Sequence, residues 1–190
     1  IFDRMEDESG QTPEVSLLEG DQRVVMEALH AGDVDVALLY DVDISEGVET
    51  RDLTALQPYV LMSDSHPLAH HGSLTLSQLA DESLILLDLP PSPPYALRIM
   101  EAAGLKPRVG YRAQSFEMVR GLVGRGLGYS ILVTKPASSV TYDGRALVSQ
   151  AITDEVPVPR LVLAHRVDAD LPAPAQAFVE HCEAFVKGRA

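Results

Sequence analysis

Three short segments place polar side chains just before a predicted helix, where backbone N–H groups lack partners. Asp21, residues 91–95 and Ser115 each follow a predicted strand. A helix N-terminus offers hydrogen-bond donors and a partial positive charge, which suits a small carboxylate or phosphate ligand. The alternative is structural: Asp21 and Ser115 are N-capping residues, and Tyr95 packs on the prolines before it instead of lining a pocket.

Two other clusters suggest chemistry and are weaker. Gly121, Gly124, Gly126 and Gly128 end a predicted helix and precede a strand, whereas phosphate-binding glycines follow a strand and open a helix. Tight turning between helix and strand is therefore favoured. The histidines at 66, 70 and 71 could hold a metal on a helix, but the neighbouring Pro67 disfavours one. We expect no metal site and no cofactor.

Cys182 is the only cysteine in the chain. Its helical spacing with Phe178 and Phe185 predicts a small core residue, and no basic neighbour is present to lower the pKa of its thiol. No serine stands in a Gly-x-Ser-x-Gly motif, and the acidic residues are scattered over predicted helix surfaces and loops. A hydrolase or a glycosidase therefore has no candidate catalytic group.

The elements that must position these residues alternate along the chain. Apolar periodicity and Gly or Pro stops predict helices at 21–31, 94–103, 115–125 and 173–187, with a helical turn at 76–80. Short apolar runs predict strands at 15–19, 36–40, 59–62, 84–87, 109–112, 129–133, 147–152 and 161–165. The continuous apolar runs are typical of parallel strands covered on both faces. The pattern predicts an α/β fold with parallel strands and right-handed crossovers.

Composition limits the function further. The 190 residues carry 15 Lys and Arg against 28 Asp and Glu, a net charge of −13, which opposes binding to the phosphates of nucleic acid. No apolar run approaches the length of a transmembrane helix and no signal-peptide pattern is present, so we expect a cytoplasmic protein. The chain begins at Ile1 in a segment typical of a helix entered partway, and we therefore expect further sequence upstream.

Two stretches rich in Ser, Pro, His and small residues, 64–72 and 134–143, bracket a central segment with its own strand and helix pattern. They predict two lobes, one of residues 1–63 with 137–190 and one of residues 64–136. A chain that leaves one lobe, builds a second and returns leaves a cleft between them. Clefts at the carboxyl ends of strands are where α/β proteins bind ligands.

Six segments in order resemble one family, the effector-binding domain of LysR-type transcriptional regulators. They are LLEGD at 17–21, AGDVDVAL at 31–38, SHPLA at 65–69, LSQLADESLI at 76–85, AAGLKP at 102–107 and GLGYSIL at 126–132. The resemblance implies two Rossmann-like lobes of the periplasmic-binding-protein type II kind, joined by two crossover strands. It also implies a small-molecule effector in the cleft, which the helix starts suggest is anionic. It further implies a first strand of the first lobe upstream of Ile1, and a separate N-terminal winged helix-turn-helix that this chain lacks.

The resemblance further implies where the effector binds. It points to the turn at Gly20, Asp21 and Gln22, to the loop from Asp88 to Tyr95 with Ser92 and Tyr95 preferred, and to the helix start at Ser115 and Phe116, with Gly128 and Tyr129 beyond that helix. The loop before Tyr95 is unusually rich in proline, which would stiffen the pocket wall. It contains no cysteine, unlike the loop of the peroxide-sensing members, which disfavours thiol-based sensing.

We therefore expect a sensor that is not an enzyme, forms a homodimer or homotetramer, and contacts DNA only through the missing domain, with no membrane partner. Two alternatives stay open. A periplasmic-type solute-binding protein would share the lobes and carry an export signal. A two-lobe cytoplasmic enzyme such as a dehydratase would need a Thr or Ser with a charged partner in the cleft, and no such set is evident.

Overall fold

The computed structural model describes residues 15–89 and 95–188. The chain forms two compact units, one made of the residues up to Ala55 with those from Pro159 onward, and a second made of Leu56–Val158. The predicted lobe boundaries, 63/64 and 136/137, both fall inside the second unit. Strand pairing explains the difference, because Tyr59–Ser63 pairs with Leu147–Ile152 and keeps both strands in one sheet.

The first unit is a three-stranded sheet with a helix on each face. Strands β1 (Ala37–Tyr40) and β2 (Val48–Ala55) flank β9 (Arg160–Arg166), and both pairings are antiparallel. Helix α1 (Gln22–Ala31) covers Val162 and Ala164 on one face. Helix α4 (Ala173–Lys187) covers Leu163 on the other face with Val179 and Cys182. The alternation of neighbouring β9 side chains between two cores follows from the period of two in a strand.

The second unit is built on a larger set of strands with helices on two faces. Strands β3 (Tyr59–Ser63), β4 (Ser73–Leu74), β7 (Ser130–Leu132) and β8 (Leu147–Ile152) form one sheet in the order β4-β8-β3-β7. Strands β5 (Ser83–Leu87) and β6 (Arg108–Ala113) form a parallel pair, which a bridge between Leu84 and Tyr129 links to the residues before β7.

Three helical segments complete the second unit. A 3-10 turn spans Leu76–Leu79, α2 spans Tyr95–Ala102 and α3 spans Phe116–Gly124. Helix α2 buries Ile99 and Met100 in the core that holds Met62, Leu84 and Leu86, while α3 buries Val119 and Val123 in the core that holds Leu61 and Ile85. The predicted positions of these elements are confirmed to within a few residues.

Three expectations about the strands are wrong. Residues 15–19 lie outside any strand, and Val15, Leu17 and Leu18 are exposed. The sequence patterns predict no strand at β2, because its charged sequence lacks a continuous apolar run, yet the structure forms one there. The expectation of parallel strands fails for β1, β2, β3 and β7, which pair antiparallel. An apolar run encodes burial but carries no information on the direction of its partner, which comes from distant sequence.

Candidate functional site

The turn that precedes α1 is a helix cap. The Asp21 carboxylate accepts a hydrogen bond from the Val24 N–H at 3.0 Å, and the Asp21 carbonyl accepts one from Val25. Gly20 packs against the same turn, since a Cβ at this position would lie 2.9 Å from Cγ1 of Val24. The capping alternative for Asp21 is therefore what the structure shows, and it leaves fewer free donors for a ligand at this helix start.

Gln22 is a buried residue that links α1 to the end of β1, and it is not a surface residue that a ligand could contact. Its side-chain amide donates to the carbonyl of Val42, and its Oε1 accepts the Tyr40 N–H at 3.3 Å. Both bonds tie the first turn of α1 to the end of β1. With 7% of its surface exposed and both ends of the amide used, this side chain has little capacity left for an effector.

In the second unit, two of the predicted residues meet at one edge of a parallel strand pair. Leu87 on β5 lies opposite Ala113 on β6, and the Asp88 N–H donates to the Ala113 carbonyl at 2.9 Å. Ser115 follows two residues after Ala113 and caps α3. Asp88 and Ser115 thus lie at the carboxyl ends of β5 and β6, the edge where ligands of α/β sheets bind.

This edge carries an arginine that the sequence did not single out. Arg112, on β6, holds its guanidinium 3.3 Å from the Asp88 carboxylate, and its side chain is about half exposed. An exposed guanidinium beside a carboxylate can exchange that partner for the carboxylate or phosphate of a ligand. Nothing in the local sequence distinguishes Arg112 from Arg108 on the same strand, so the signal exists only in three dimensions.

The N-terminus of α3 is exposed and partly capped. The Ser115 hydroxyl accepts the Met118 N–H at 3.4 Å, a long bond, while Phe116 packs its ring on the core beneath the helix. Glu117 in the first turn is negative, but its Oε1 lies 3.2 Å from Nε of Arg120. This ion pair reduces the repulsion that Glu117 would exert on an anion at the helix start.

Tyr95 begins α2, and its hydroxyl donates a hydrogen bond to the carbonyl of Pro157. The ring packs against the core of the second unit. Burial raises the pKa of the Tyr95 phenol to about 12, against the opposing charge of Arg98. The hydroxyl therefore stays protonated at neutral pH and acts as a donor. Ser92, the other preferred contact in this loop, lies outside the described residues.

Gly128 and Tyr129 lie at the opposite end of β5 from Asp88. A Cβ on Gly128, whose φ is 151°, would stand 2.0 Å from the carbonyl oxygen of Ser83, and the Tyr129 N–H donates to that same oxygen at 2.9 Å. Strands advance about 3.3 Å per residue, so Asp88 is about 16 Å along the strand from Ser83. This separation corrects the expectation that Gly128 and Tyr129 are neighbours of the same site.

Tyr129 is also a core residue. Its side chain is fully buried beside Met62 and Leu84, and among the described residues its hydroxyl has no hydrogen-bond partner. Burial, together with the negative charge of Glu82, raises the pKa of this phenol above its ordinary value of 10. In this conformation Tyr129 offers no surface to a ligand.

A shallow groove runs along the outer face of α3. It has a volume of about 400 Å³ and is lined by Ser115, Met118, Gly121, Leu122, Tyr142 and Asp143, among others. Tyr142 projects from a turn and is 93% exposed, and Met118 is 57% exposed. The Asp143 carboxylate holds this turn through the Thr141 hydroxyl and Arg125 at 2.9 Å. The groove is therefore an exposed apolar surface, and hydrogen bonds of Asp143 hold the turn at its edge in place.

The remaining clusters have structural roles. His66 accepts the Leu68 N–H at 3.2 Å through Nδ1 and lies 3.5 Å from Glu82, whereas His70 lies 3.8 Å from Asp64. Within residues 15–89 and 95–188, no three His, Cys, Asp or Glu side chains come close enough to hold a metal. Cys182 is buried, as predicted, and burial raises the pKa of its thiol.

No helix in the described part of the chain combines the length and the hydropathy that a membrane span requires.

Arg120 is buried, and the sequence patterns did not indicate a role for it. Its guanidinium donates to the carbonyls of Ser138 and Val140, at 3.1 and 2.6 Å, and so fixes the segment that leads into β8. A charged residue at a core position of a helix is the signal that could have indicated such a role.

Comparison with known proteins gives three informative matches. HTH-type transcriptional regulator YybE of Bacillus subtilis, itself uncharacterized, is 32% identical over 113 residues, which cover 57% of this chain and 37% of YybE. The crystal structure of HinK, a LysR family transcriptional regulator from Pseudomonas aeruginosa, matches with a TM-score of 0.86 at 36% identity, over 91% of this chain and 60% of HinK. The chain thus spans less than two thirds of each of these two proteins.

The third match shares the fold alone. The effector binding domain of QuiR in complex with shikimate has a TM-score of 0.77 at 21% identity, over 91% of this chain and 81% of that domain. The predicted α/β fold of the periplasmic-binding-protein type II kind is confirmed by these likenesses. The family model for the LysR substrate binding domain matches residues 10–187, and the chain therefore belongs to the LysR substrate-binding domain family.

Proposed function

We propose that this chain senses a small anionic metabolite, which binds at the carboxyl ends of β5 and β6. The observation that carries the proposal is the meeting of Asp88, Arg112 and the exposed N-terminus of α3 at one edge. Arg112 supplies a half-exposed positive charge, and the helix start supplies N–H donors. The shikimate complex of QuiR, a domain with the same fold, supports a small carboxylate as the class of ligand.

We propose that the sensor regulates transcription together with a DNA-binding domain. The net charge of −13 disfavours direct contact with DNA, and the match covers only 37% of YybE and 60% of HinK. We propose that the whole protein reads DNA through an N-terminal helix-turn-helix. The effector then shifts the balance between two states by its difference in affinity for them. We propose no catalytic turnover and a cytoplasmic location.

We also propose that the regulator acts as a homodimer or homotetramer. The groove along α3 supports this proposal, because exposed Met and Tyr side chains on a fixed rim are typical of interface residues. Its occupant would be a second copy of the chain. Light scattering at increasing protein concentration measures the molar mass, and a monomer at every concentration in the full-length protein would contradict the proposal.

A matched pair of arginine variants tests the anion site. Arg112→Gln removes the charge at the carboxyl end of β6, whereas Arg108→Gln removes one at the amino end of the same strand, opposite Ser83. The assay is a thermal-shift titration with shikimate, benzoate and inorganic phosphate as probes, in which stabilisation must grow with ligand concentration. We expect Arg108→Gln to keep the shift of the parent protein.

For Arg112→Gln we expect at least a tenfold loss of affinity for the probe, because one charge-assisted hydrogen bond contributes about 1.5–3 kcal/mol. An unchanged affinity in Arg112→Gln, or an equal loss in both variants, would place the ligand elsewhere. Absence of any stabilisation by all three probes in the parent protein would count against an anion site at this edge.

A further inference from the structure

The second chain connection between the two units, residues 156–159, is held at both ends by specific hydrogen bonds. We propose that the bond from Tyr95 to Pro157 restrains this connection, so that Tyr95 is a positioning residue which couples the start of α2 to β9. This inference deepens the proposed sensor function, because Tyr95 begins the helix that follows Asp88. It assigns the Tyr95 hydroxyl a role in transmission instead of ligand contact.

The connection itself is stiff. Its sequence is Val156, Pro157, Val158 and Pro159, and each proline ring fixes its own φ near −65°. Each proline also restricts the residue before it to extended conformations. Four such residues span at most about 14 Å. A displacement of Pro157 therefore moves the far end of the connection, because few backbone torsions remain to absorb it.

The near end of the connection is anchored in the second unit. The Tyr95 hydroxyl donates to the Pro157 carbonyl, and the Tyr95 ring and Val156 both pack against the core that also holds Met100 of α2. Proline lacks an N–H, so the carbonyl is the only backbone group through which Pro157 can be held by hydrogen bonds. Loss of the Tyr95 hydroxyl leaves apolar packing as the restraint at this end.

The far end is anchored in the first unit, directly after Pro159. Arg160 opens β9, and its N–H donates to the Asp41 carboxylate at 2.8 Å. Its guanidinium lies 2.8 Å from the carboxylate of Asp52 on β2. Because β9 is the central strand of its sheet, a movement delivered to Arg160 reaches the whole sheet. The two anchors are only three residues apart along a rigid segment.

Spin-label distances between the units test the proposal without any ligand. Labels are placed at Glu101→Cys on α2 and Glu180→Cys on α4, both exposed, in a background in which the buried Cys182 is replaced by Ala. Tyr95→Phe removes only the hydroxyl. The matched control is Tyr111→Phe, which removes a hydroxyl from a tyrosine that is 43% exposed on β6.

We expect Tyr95→Phe to broaden the distance distribution, with about a fivefold larger population outside the parent range, as the loss of one hydrogen bond implies. Tyr111→Phe should leave the distribution unchanged. A purely local role of Tyr95 would lower the unfolding temperature and leave the distances as they were, and that result overturns the proposal.

A second variant acts on the stiffness of the connection. Pro159→Ala restores torsional freedom and an N–H without touching Tyr95, and it should broaden the distribution as well. Unchanged distances in Pro159→Ala would overturn the claim of a rigid segment, even if Tyr95→Phe were poorly folded. Because no effector is present, failure here leaves the anion site intact, whereas failure of the Arg112→Gln titration leaves this coupling intact.

Discussion

Replacing Gln22 with Leu tests whether this residue is a structural connector or a ligand contact. Leucine has a similar volume and helix propensity but cannot make the two hydrogen bonds that the Gln22 amide makes to the Tyr40 N–H and the Val42 carbonyl. A backbone group in such a part-buried site that loses a hydrogen bond costs about 1–3 kcal/mol. The two lost bonds together cost about 2–6 kcal/mol, and the larger apolar surface returns about 1 kcal/mol. We therefore expect the free energy of unfolding to fall by about 1–5 kcal/mol.

The measurement is urea unfolding followed by circular dichroism, with the midpoint and slope compared at pH 7. Gln176→Leu is the matched control, since it also removes a bond from a glutamine amide to a carbonyl, that of Leu171 at 2.7 Å, but at an exposed site. Its cost should stay below about 1 kcal/mol. If Gln22→Leu cost no more than Gln176→Leu, the structural assignment of Gln22 would be refuted.

Two further predictions concern Tyr129 and Asp143. Tyr129→Phe removes a buried hydroxyl that lacks a partner among the described residues, so we expect unchanged or slightly higher stability, within about 1 kcal/mol; a clear loss in thermal unfolding would reveal a missed hydrogen bond. The hydrogen bond from Thr141 and the charges of Arg145 and Arg125 lower the pKa of Asp143 below 3.8. Its contribution is present above pH 3.8 and is lost as the pH falls through the lower, folded value. Asp143→Asn should therefore be less stable than the parent at pH 7, and the difference should shrink in acid; a difference independent of pH would contradict this reasoning.

Much of the fold was predictable because local sequence patterns indicate which faces of the helices and strands are buried. The bounds of α4, 173–187, follow from its apolar periodicity and from Pro172. The start of α3 follows from the capping residue Ser115. Strands β3 and β5 are continuous apolar runs with buried side chains. Each of these signals lies within one turn or one strand, so the neighbouring sequence is sufficient to specify it.

The candidate site was predictable only in part. The family resemblance pointed to the loop that begins at Asp88 and to the helix start at Ser115, and the register of β5 with β6 brings these two residues to one edge. It grouped Gly128 and Tyr129 with them, although these residues lie at the other end of β5. The sequence could not distinguish Arg112 from Arg108, because both are arginines on β6 and they differ only in which end of the strand they occupy.

The sequence by itself determined the class of fold, the family, the positions of the helices and the surplus of negative charge. These properties depend on composition, on short-range periodicity and on motifs that keep their order along the chain. Only the tertiary structure decided the direction of strand pairing, the burial of Gln22 and Arg120, and the partner of the Tyr95 hydroxyl. Each of these depends on contacts between residues distant in sequence, such as Tyr95 with Pro157, and no local pattern encodes which distant group completes a hydrogen bond.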